Sequence, residues 1–172
     1  MWRSTSALAH PGNPSYLWSG VFWSSTSQDQ NFAVYGGAFS LESYSESTIK
    51  TQGSYSLKGE ATTGALSKTL TRTVSPAINL SGQTQINFDV RSSRTGSNIK
   101  IGIRDTGGAI TEITPNIITA DTFQAIAWDI SGVSDANKDA IDKIIITIVN
   151  ADATNTFYVD NMYSLVGGID CG

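Results

Sequence analysis

Apolar and polar residues alternate strictly along two segments in the middle of the chain, and this alternation limits the fold more than any other feature. From Thr84 to Arg91, and again from Asn98 to Arg104, every second residue is apolar. Because successive side chains of a β-strand point to opposite faces of its sheet, each segment is predicted to be a strand with one buried face. Such strands need a second layer over their apolar side, which favours a β-sandwich or barrel.

The rest of the chain from residue 47 onward also predicts short strands separated by turns. The segment 143–150 is apolar on both faces, as expected of a central strand. Ser134–Asp142 is predicted to be the only helix, with Ser134 as its N-cap. The remaining strands are predicted at 47–50, 54–60, 68–74, 109–114, 122–130 and 156–164.

The loop between the two alternating strands is short and polar, Ser92–Ser97. We predict that it closes a hairpin, which would place Asp89 opposite Lys100 as a cross-strand pair of opposite charge. The alternate positions of both strands would then form a single polar face. The residues predicted for that face are Asn87, Asp89, Arg91, Lys100 and Arg104.

Residues 1–46 differ from the regular segment 47–165 and are predicted to be a separate, irregular, aromatic-rich part, followed by a tail at 166–172. Strands are expected there near 16–23 and 32–41. Aromatic rings can stack on sugars, fill a core or pack in a subunit interface, and the sequence leaves these three roles open. The candidates for sugar contact are Tyr16, Trp18 and Trp23.

Charge and hydropathy exclude some partners. The formal net charge is −4 and the isoelectric point is about 4.8, so nucleic-acid binding through a basic stripe is not expected. No apolar run approaches the ~18 residues of a membrane span, so membrane insertion is not expected either. The first residues lack the apolar segment of a signal peptide, which suggests a trimmed chain or another route, such as that of a virion protein.

The sequence contains few residues in the patterns typical of a catalytic site. The chain has one histidine, His10, and one cysteine, Cys171, so neither a Cys/His zinc site nor a histidine-based nucleophile is expected. A glycosidase needs two neighbouring carboxylates, for which Glu60 and Glu112 on predicted strands are the candidates. Exposed strand carboxylates are the simpler explanation, and we predict that the protein is not an enzyme.

Four short motifs in the regular segment resemble the jelly-roll carbohydrate-binding modules. They are Gly-Ser-Tyr-Ser-Leu-Lys at 53–58, Phe-Asp-Val-Arg at 88–91, Phe123 with Trp-Asp-Ile at 128–130, and Phe-Tyr-Val-Asp-Asn at 157–161. The resemblance covers residues 47–163 and implies an antiparallel jelly roll. It also implies a structural calcium ion held by Asp160 and by backbone oxygens of the turn at 52–54, with Glu42 and Glu46 as further candidate ligands.

Two functions follow from these observations. The first is a non-catalytic module of an extracellular or cell-surface protein that binds a glycan or cell-surface polysaccharide. The second is a structural subunit of a virion or an extracellular assembly, which would contact copies of itself or other subunits through its N-terminal segment and its strand edges. The resemblance favours the first of these.

Overall fold

The computed structural model describes residues 15–18, 21–24 and 39–166 of the 172-residue chain. The chain divides into two compact units, Met1–Ala38 and Phe39–Gly172. In the first unit, β1 (Ser15–Trp18) and β2 (Val21–Ser24) form an antiparallel hairpin. The strand expected near 32–41 falls mostly outside the described residues.

The described part of the second unit, residues 39–166, contains nine strands. Among residues 39–166 the only helical element is a single 3-10 turn at Asp135–Asn137. In chain order the strands are β3 (Leu41–Glu46), β4 (Ser56–Ala61), β5 (Thr69–Ile78), β6 (Gln85–Ser92), β7 (Ile99–Asp105), β8 (Ile110–Ile113), β9 (Gln124–Asp129), β10 (Ile141–Ile148) and β11 (Asn155–Leu165).

These strands form two antiparallel sheets, which confirms the predicted all-β sandwich. The five-stranded sheet has the order β3-β4-β11-β6-β9 and the four-stranded sheet the order β5-β10-β7-β8. β10 lies between two partners, as its apolar sequence predicts. No helix in the described part of the chain is long and apolar enough to cross a membrane.

The core lies between the two sheets and is filled by the alternating apolar residues of the strands. Phe88 and Phe157 from the five-stranded sheet and Ile99, Ile101 and Ile148 from the four-stranded sheet are almost fully buried. Trp128 also belongs to this core and is 4% exposed. It is therefore a packing residue and does not contribute to an exposed surface.

The predicted hairpin between the two alternating strands is wrong. β6 and β7 belong to different sheets, so Asp89 and Lys100 do not face each other. Residues 93–98 cross from one sheet to the other, and the crossing is held by the Asn98 side-chain amide, which donates to the carbonyl of Thr95 at 2.9 Å. Alternation looks the same for strands that pair and for strands that face each other across a core, so it could not separate the two cases.

The predicted helix at 134–142 is reduced to the 3-10 turn. Ser134 has extended backbone and its side chain makes no capping hydrogen bond. Lys138 is buried, and its ammonium group donates to the carbonyl oxygens of Gln83 and Ile130 at 2.8 and 3.2 Å. These contacts fix the turn in place, and the chain then enters β10 at Ile141 instead of completing a helix.

The boundary predicted at residue 46 also needs correction. β3 pairs with β4 along its whole length, from the partners Leu41 and Ala61 to Glu46 and Ser56. Residues 39–46 are therefore part of the sandwich, and the segment 47–50 that was predicted to be a strand is a turn. The sequence 41–46 has only one large aliphatic residue, so its pairing with β4 leaves little trace in the hydrophobic pattern.

Candidate functional site

The outward side of the five-stranded sheet, here called the outer face, carries a line of four side chains in cross-strand register. They come from β3, β4, β11 and β6, and we name them the tyrosine row. Its members are Tyr44, Lys58, Tyr158 and Arg91. Their direction follows from the register, because the intervening residues Leu57, Val90 and Val159 belong to the core or pack against it.

The row alternates aromatic rings with cations. The Lys58 ammonium lies 5.5 Å from the centre of the Tyr44 ring, and the Arg91 guanidinium lies 5.6 Å from that of Tyr158. Phe123 packs edge-on against Tyr158 with ring centres 6.5 Å apart. Tyr158 is thereby 7% exposed, whereas Tyr44 is 45% exposed and offers the open aromatic surface of the row. Cation–π contacts of this kind hold the rings in defined positions.

Each cation of the row also has a carboxylate partner on the same face. Lys58 pairs with Glu60 at 2.6 Å, and this hydrogen bond raises the pKa of the Lys58 ammonium group. Arg91 pairs with Asp121 at 3.3 Å. Its Nε is buried and has no hydrogen-bond partner in the described part of the chain. A buried donor in this state usually contacts water or a ligand atom.

The Tyr44 hydroxyl donates to the carboxylate of Glu42, two residues earlier on β3. This hydrogen bond raises the pKa of the Tyr44 hydroxyl group. The contact directs the hydroxyl end of the ring along β3 toward Glu42. The ring and the neighbouring carboxylates together present one apolar surface surrounded by hydrogen-bond acceptors.

Residues 47–54, here called the border loop, lie on the outer face next to the tyrosine row. The hydroxyl of Ser56 donates to the carbonyl of Ile49 at 2.6 Å, and Ser56 is buried beneath the loop. On β11, the strand next to β4, the Asp160 carboxylate accepts hydrogen bonds from the backbone N–H groups of Thr51 and Gln52 at 2.6 and 3.0 Å. The loop therefore forms a wall along one side of the row.

Two neighbouring aspartates hold this wall. Asp89 and Asp160 are cross-strand partners on β6 and β11, and the Thr51 hydroxyl contacts both carboxylates, at 2.6 and 3.2 Å. Asn161 adopts a left-handed conformation with φ of 51° in the bulge of β11, and its N–H donates to Asp160 at 2.7 Å. Asn161 also donates its side-chain amide to Asp89 at 3.2 Å.

These contacts do not fit the calcium site that the resemblance implies. The border loop presents N–H groups to Asp160, where a cation would need backbone oxygens. The Glu46 carboxylate accepts hydrogen bonds from the N–H groups of Thr48 and Ile49, and the Glu42 carboxylate accepts one from the Tyr44 hydroxyl. Both carboxylates are thus engaged by groups other than those around Asp160. No group of three acidic, histidine or cysteine side chains able to hold a metal is found among the described residues.

We therefore expect calcium to have no effect on stability. A ligand that binds only the folded state at 100 times its dissociation constant would add about 2.7 kcal/mol to the free energy of unfolding. Thermal unfolding with 5 mM calcium and with 5 mM EDTA should give the same midpoint within error. A rise of several degrees with calcium would contradict this expectation and restore the predicted role of Asp160.

The predicted binding residues do not form a single surface. Asn87, Asp89 and Arg91 lie on the outer face, with Asn87 beside the exposed ring of Tyr163. Lys100 and Arg104 lie on the outward side of the four-stranded sheet, where they pair with Glu112 at 2.7 Å and Asp142 at 3.3 Å. Tyr16, Trp18 and Trp23 lie in the β1–β2 hairpin, and sugar contact by their side chains stays a prediction.

Glu60 and Glu112, the pair considered for glycoside hydrolysis, also lie on different sheets. Each is engaged by a lysine of its own sheet, so they are not placed as two carboxylates around one bond. The residues that sequence analysis missed are Tyr44, Lys58, Tyr158 and Phe123. Lys58, Phe123 and Tyr158 each lie in one of the motifs of the resemblance, which gave them no binding role, and Tyr44 lies in none.

An apolar cavity of about 250 Å³ opens between the ends of the two sheets, away from the tyrosine row. Isoleucines of both sheets line it, together with Met162, and Tyr163 and Ser164 lie at its rim. Its lining carries few polar groups, so it offers little to recognise a hydroxyl-rich molecule. The outer face is the better candidate for such a ligand.

Comparison with solved structures returns proteins that act on or bind polysaccharides. An exo-β-agarase shares 13% identity at a TM-score of 0.57 over 76% of this chain, and the chain spans 22% of that protein. A family 30 carbohydrate-binding module of a Clostridium thermocellum cellulosomal cellulase shares 14% identity at a TM-score of 0.57, covering 76% of this chain and 88% of that one. A second agarase gives 15% identity, a TM-score of 0.57, and 76% and 24% coverage.

No protein-family model and no curated protein matches the chain. At these identities the structural similarities establish the fold, and they confirm the predicted jelly-roll β-sandwich of the carbohydrate-binding-module type. No comparison supports the alternative of a virion subunit.

Proposed function

We propose that this protein is a non-catalytic carbohydrate-binding module, and that it binds a glycan chain on the outer face of its five-stranded sheet. The observation that carries the proposal is the tyrosine row. In this row the exposed aromatic ring of Tyr44 lies beside cations whose positions are fixed by carboxylates. The border loop lies along one side of the row.

The chemistry of sugars matches this surface. A pyranose ring has an apolar C–H side that packs on an aromatic ring, and its hydroxyl groups donate to carboxylates and accept from guanidinium groups. The exposed side of Tyr44 would take the C–H surface of one sugar, and Glu42 and Glu60 beside it in register would bond the hydroxyls of that sugar. Arg91 lies three strands away, at roughly 14 Å, and would bond a neighbouring sugar of the same chain. Because ion pairs hold Glu60 and Arg91 and a hydrogen bond holds Glu42, little conformational entropy is lost on binding.

The similarity to a carbohydrate-binding module and to parts of two agarases supports this assignment. Modules of this kind act outside the cell, where polysaccharides occur, and we place the protein there. Assembly with other copies of the chain stays a separate prediction, which sedimentation of the purified protein tests directly.

Removal of the Tyr44 ring tests the proposal. Tyr44→Ala should weaken binding to a retaining polysaccharide by about tenfold or more, since stacking on an exposed aromatic ring contributes roughly 1–2 kcal/mol. The measurement is native affinity electrophoresis through gels that contain one soluble polysaccharide each, among them agarose, mixed-linkage β-glucan, xylan and hydroxyethylcellulose.

Tyr55→Ala is the matched control. Tyr55 is 63% exposed and immediately precedes the outward-facing Ser56, so its side chain lies outside the row. This variant should migrate as the wild type does in every gel. Equal loss of retention in both variants, or retention that survives Tyr44→Ala, would contradict the assignment of the binding surface to the tyrosine row.

A further inference from the structure

We propose that the outer face selects uncharged glycan chains and rejects anionic ones such as uronate-containing, sulfated or carboxymethylated polysaccharides. This inference rests on the proposed function, because it names the class of ligand that the same surface takes. Two observations support it: the carboxylates that surround the tyrosine row, and the ion pairs that already neutralise the cations of the row.

Carboxylates surround the row on all sides in the described part of the chain. They come from four strands and from the loop that precedes β9. The carboxylates nearest to the row are those of Glu42, Glu46, Glu60, Asp89, Asp121 and Asp160. A polyanion that approached this surface would meet like charges, which are repelled over roughly 10 Å at 0.1 M salt.

The two cations of the tyrosine row are not available to neutralise such a polymer. Lys58 is engaged by Glu60 at 2.6 Å and by the Tyr44 ring, and Arg91 is engaged by Asp121 and by the Tyr158 ring. Lys50, in the border loop, donates to the carbonyl of Ser47 at 2.6 Å and lies among a larger number of carboxylates. To bind an anionic group at the tyrosine row itself, the face would have to break the ion pair of Lys58 or that of Arg91.

Uncharged glycans are not repelled by these carboxylates and can form hydrogen bonds with them. Their hydroxyl groups are donors, and the carboxylates of Glu42 and Glu60 are acceptors with unused lone pairs. Hydrogen bonds to an ionised acceptor are stronger than those between neutral groups. The Arg91 side chain stays partly exposed while it pairs with Asp121, so its terminal N–H groups provide donors for a sugar oxygen on the same row. The surface thus favours a polymer rich in hydroxyl groups and free of charge.

Pairs of polymers with the same backbone test the inference. We would compare hydroxyethylcellulose with carboxymethylcellulose, and agarose with a sulfated galactan, by affinity electrophoresis at low salt and at 0.5 M NaCl. The wild type should be retained by at least one uncharged polymer to an extent that does not depend on salt. It should show roughly tenfold weaker retention, or none, with the charged partner of that polymer.

The double variant E60Q/D121N should reverse part of this selection. It frees Lys58 and Arg91 from their carboxylates, so it should gain roughly tenfold in retention by the anionic polymers, and 0.5 M NaCl should abolish the gain. The matched control is E112Q/D142N, which frees Lys100 and Arg104 on the outward side of the other sheet with the same change in net charge. The control should gain nothing.

The outcomes separate the two proposals. Retention of the wild type by anionic polymers equal to or above that by uncharged ones overturns the selection for uncharged chains and leaves glycan binding in place. An equal gain in both double variants shows a bulk charge effect and also overturns the selection by this face. Lack of retention by every polymer, charged or uncharged, overturns the proposed function itself.

Discussion

Replacing Gly59 with alanine should lower the free energy of unfolding by about 1–3 kcal/mol, the range found when a well-packed core is overfilled. Gly59 lies at the centre of β4, directly opposite Phe157 on β11. A Cβ atom at position 59 would lie 2.5 and 2.6 Å from the two ε-carbons of the Phe157 ring, well inside contact distance. Phe157 is fully buried, so its ring cannot move away without displacing the core.

A second substitution shows whether the ring is the cause. Leucine at position 157 lacks the outer ring carbons, so Gly59→Ala should cost less in a Phe157→Leu background than in the wild type. The coupling energy expected between the two sites is about 1 kcal/mol, measured by urea unfolding of the four proteins in the cycle. Additive costs would mean that the destabilisation arises elsewhere.

Gly132→Ala provides the control for this cycle. A Cβ atom at position 132, in the turn after β9, has no neighbour within 4 Å, so the substitution should change stability by less than about 0.5 kcal/mol. If Gly59→Ala is as harmless as Gly132→Ala, the close packing of β4 against the Phe157 ring is contradicted.

The positions of the regular strands could be predicted because alternation is a local property. The segment 84–91 predicts β6 to within one residue at each end, and 98–104 predicts β7 equally well. Which strands pair is a different matter, since it depends on where the loops carry the chain. β6 pairs with β9 and β11, both distant in sequence, and the alternation pattern holds no information about either partner.

The candidate site could be predicted only in part for the same reason. Arg91 and Asp89 were predicted as binding residues because they alternate with core residues on one strand. Tyr44 lies in a segment whose pattern gave no sign of a strand, and it joins Tyr158 only because β3 pairs with β4 and β4 pairs with β11. Lys100 and Arg104 were assigned to the same face through the hairpin that does not form.

Asp160 was singled out as a calcium ligand, whereas in the structure its carboxylate accepts hydrogen bonds from the border loop. Its motif, Phe157–Asn161, marks the middle of β11, where the border loop is attached, so the position matters in either interpretation. What the sequence could not predict is the direction of the peptide groups of Thr51 and Gln52. Those groups turn their N–H bonds toward the carboxylate, which thereby holds the border loop in place.

Replacing Asp160 with asparagine should destabilise the protein by about 2 kcal/mol at pH 7. Hydrogen bonds to a charged group contribute about 1.5–3 kcal/mol each when buried, and Asp160 is only partly buried. Asparagine keeps one acceptor oxygen, so its NH2 group would face either the N–H of Asn161 or the N–H groups of Thr51 and Gln52, which now donate to different carboxylate oxygens. Exchange of the Thr51 and Gln52 amide hydrogens should also become faster, since the border loop loses its charged acceptor.

The pH dependence of this effect follows from the Asp160 carboxyl group. Partial burial raises its pKa, but the N–H groups of Gln52, Thr51 and Asn161 outweigh the burial and hold the pKa below its usual value. The stabilisation is therefore complete above about pH 5 and is lost as the pH falls through the pKa of the folded state. Urea unfolding from pH 7 to pH 2.5 should show the difference between wild type and D160N shrinking over the acid range.

Asp152→Asn, an exposed aspartate in the turn before β11, is the control and should be neutral at every pH. A difference between D160N and wild type that does not change with pH would contradict the role of the ionised carboxylate.

If the outer face binds glycans, D160N should also weaken that binding severalfold, because the border loop forms one wall of the tyrosine row. The loss should come mainly from faster dissociation, since the row itself is intact and only the wall that confines the ligand has become mobile.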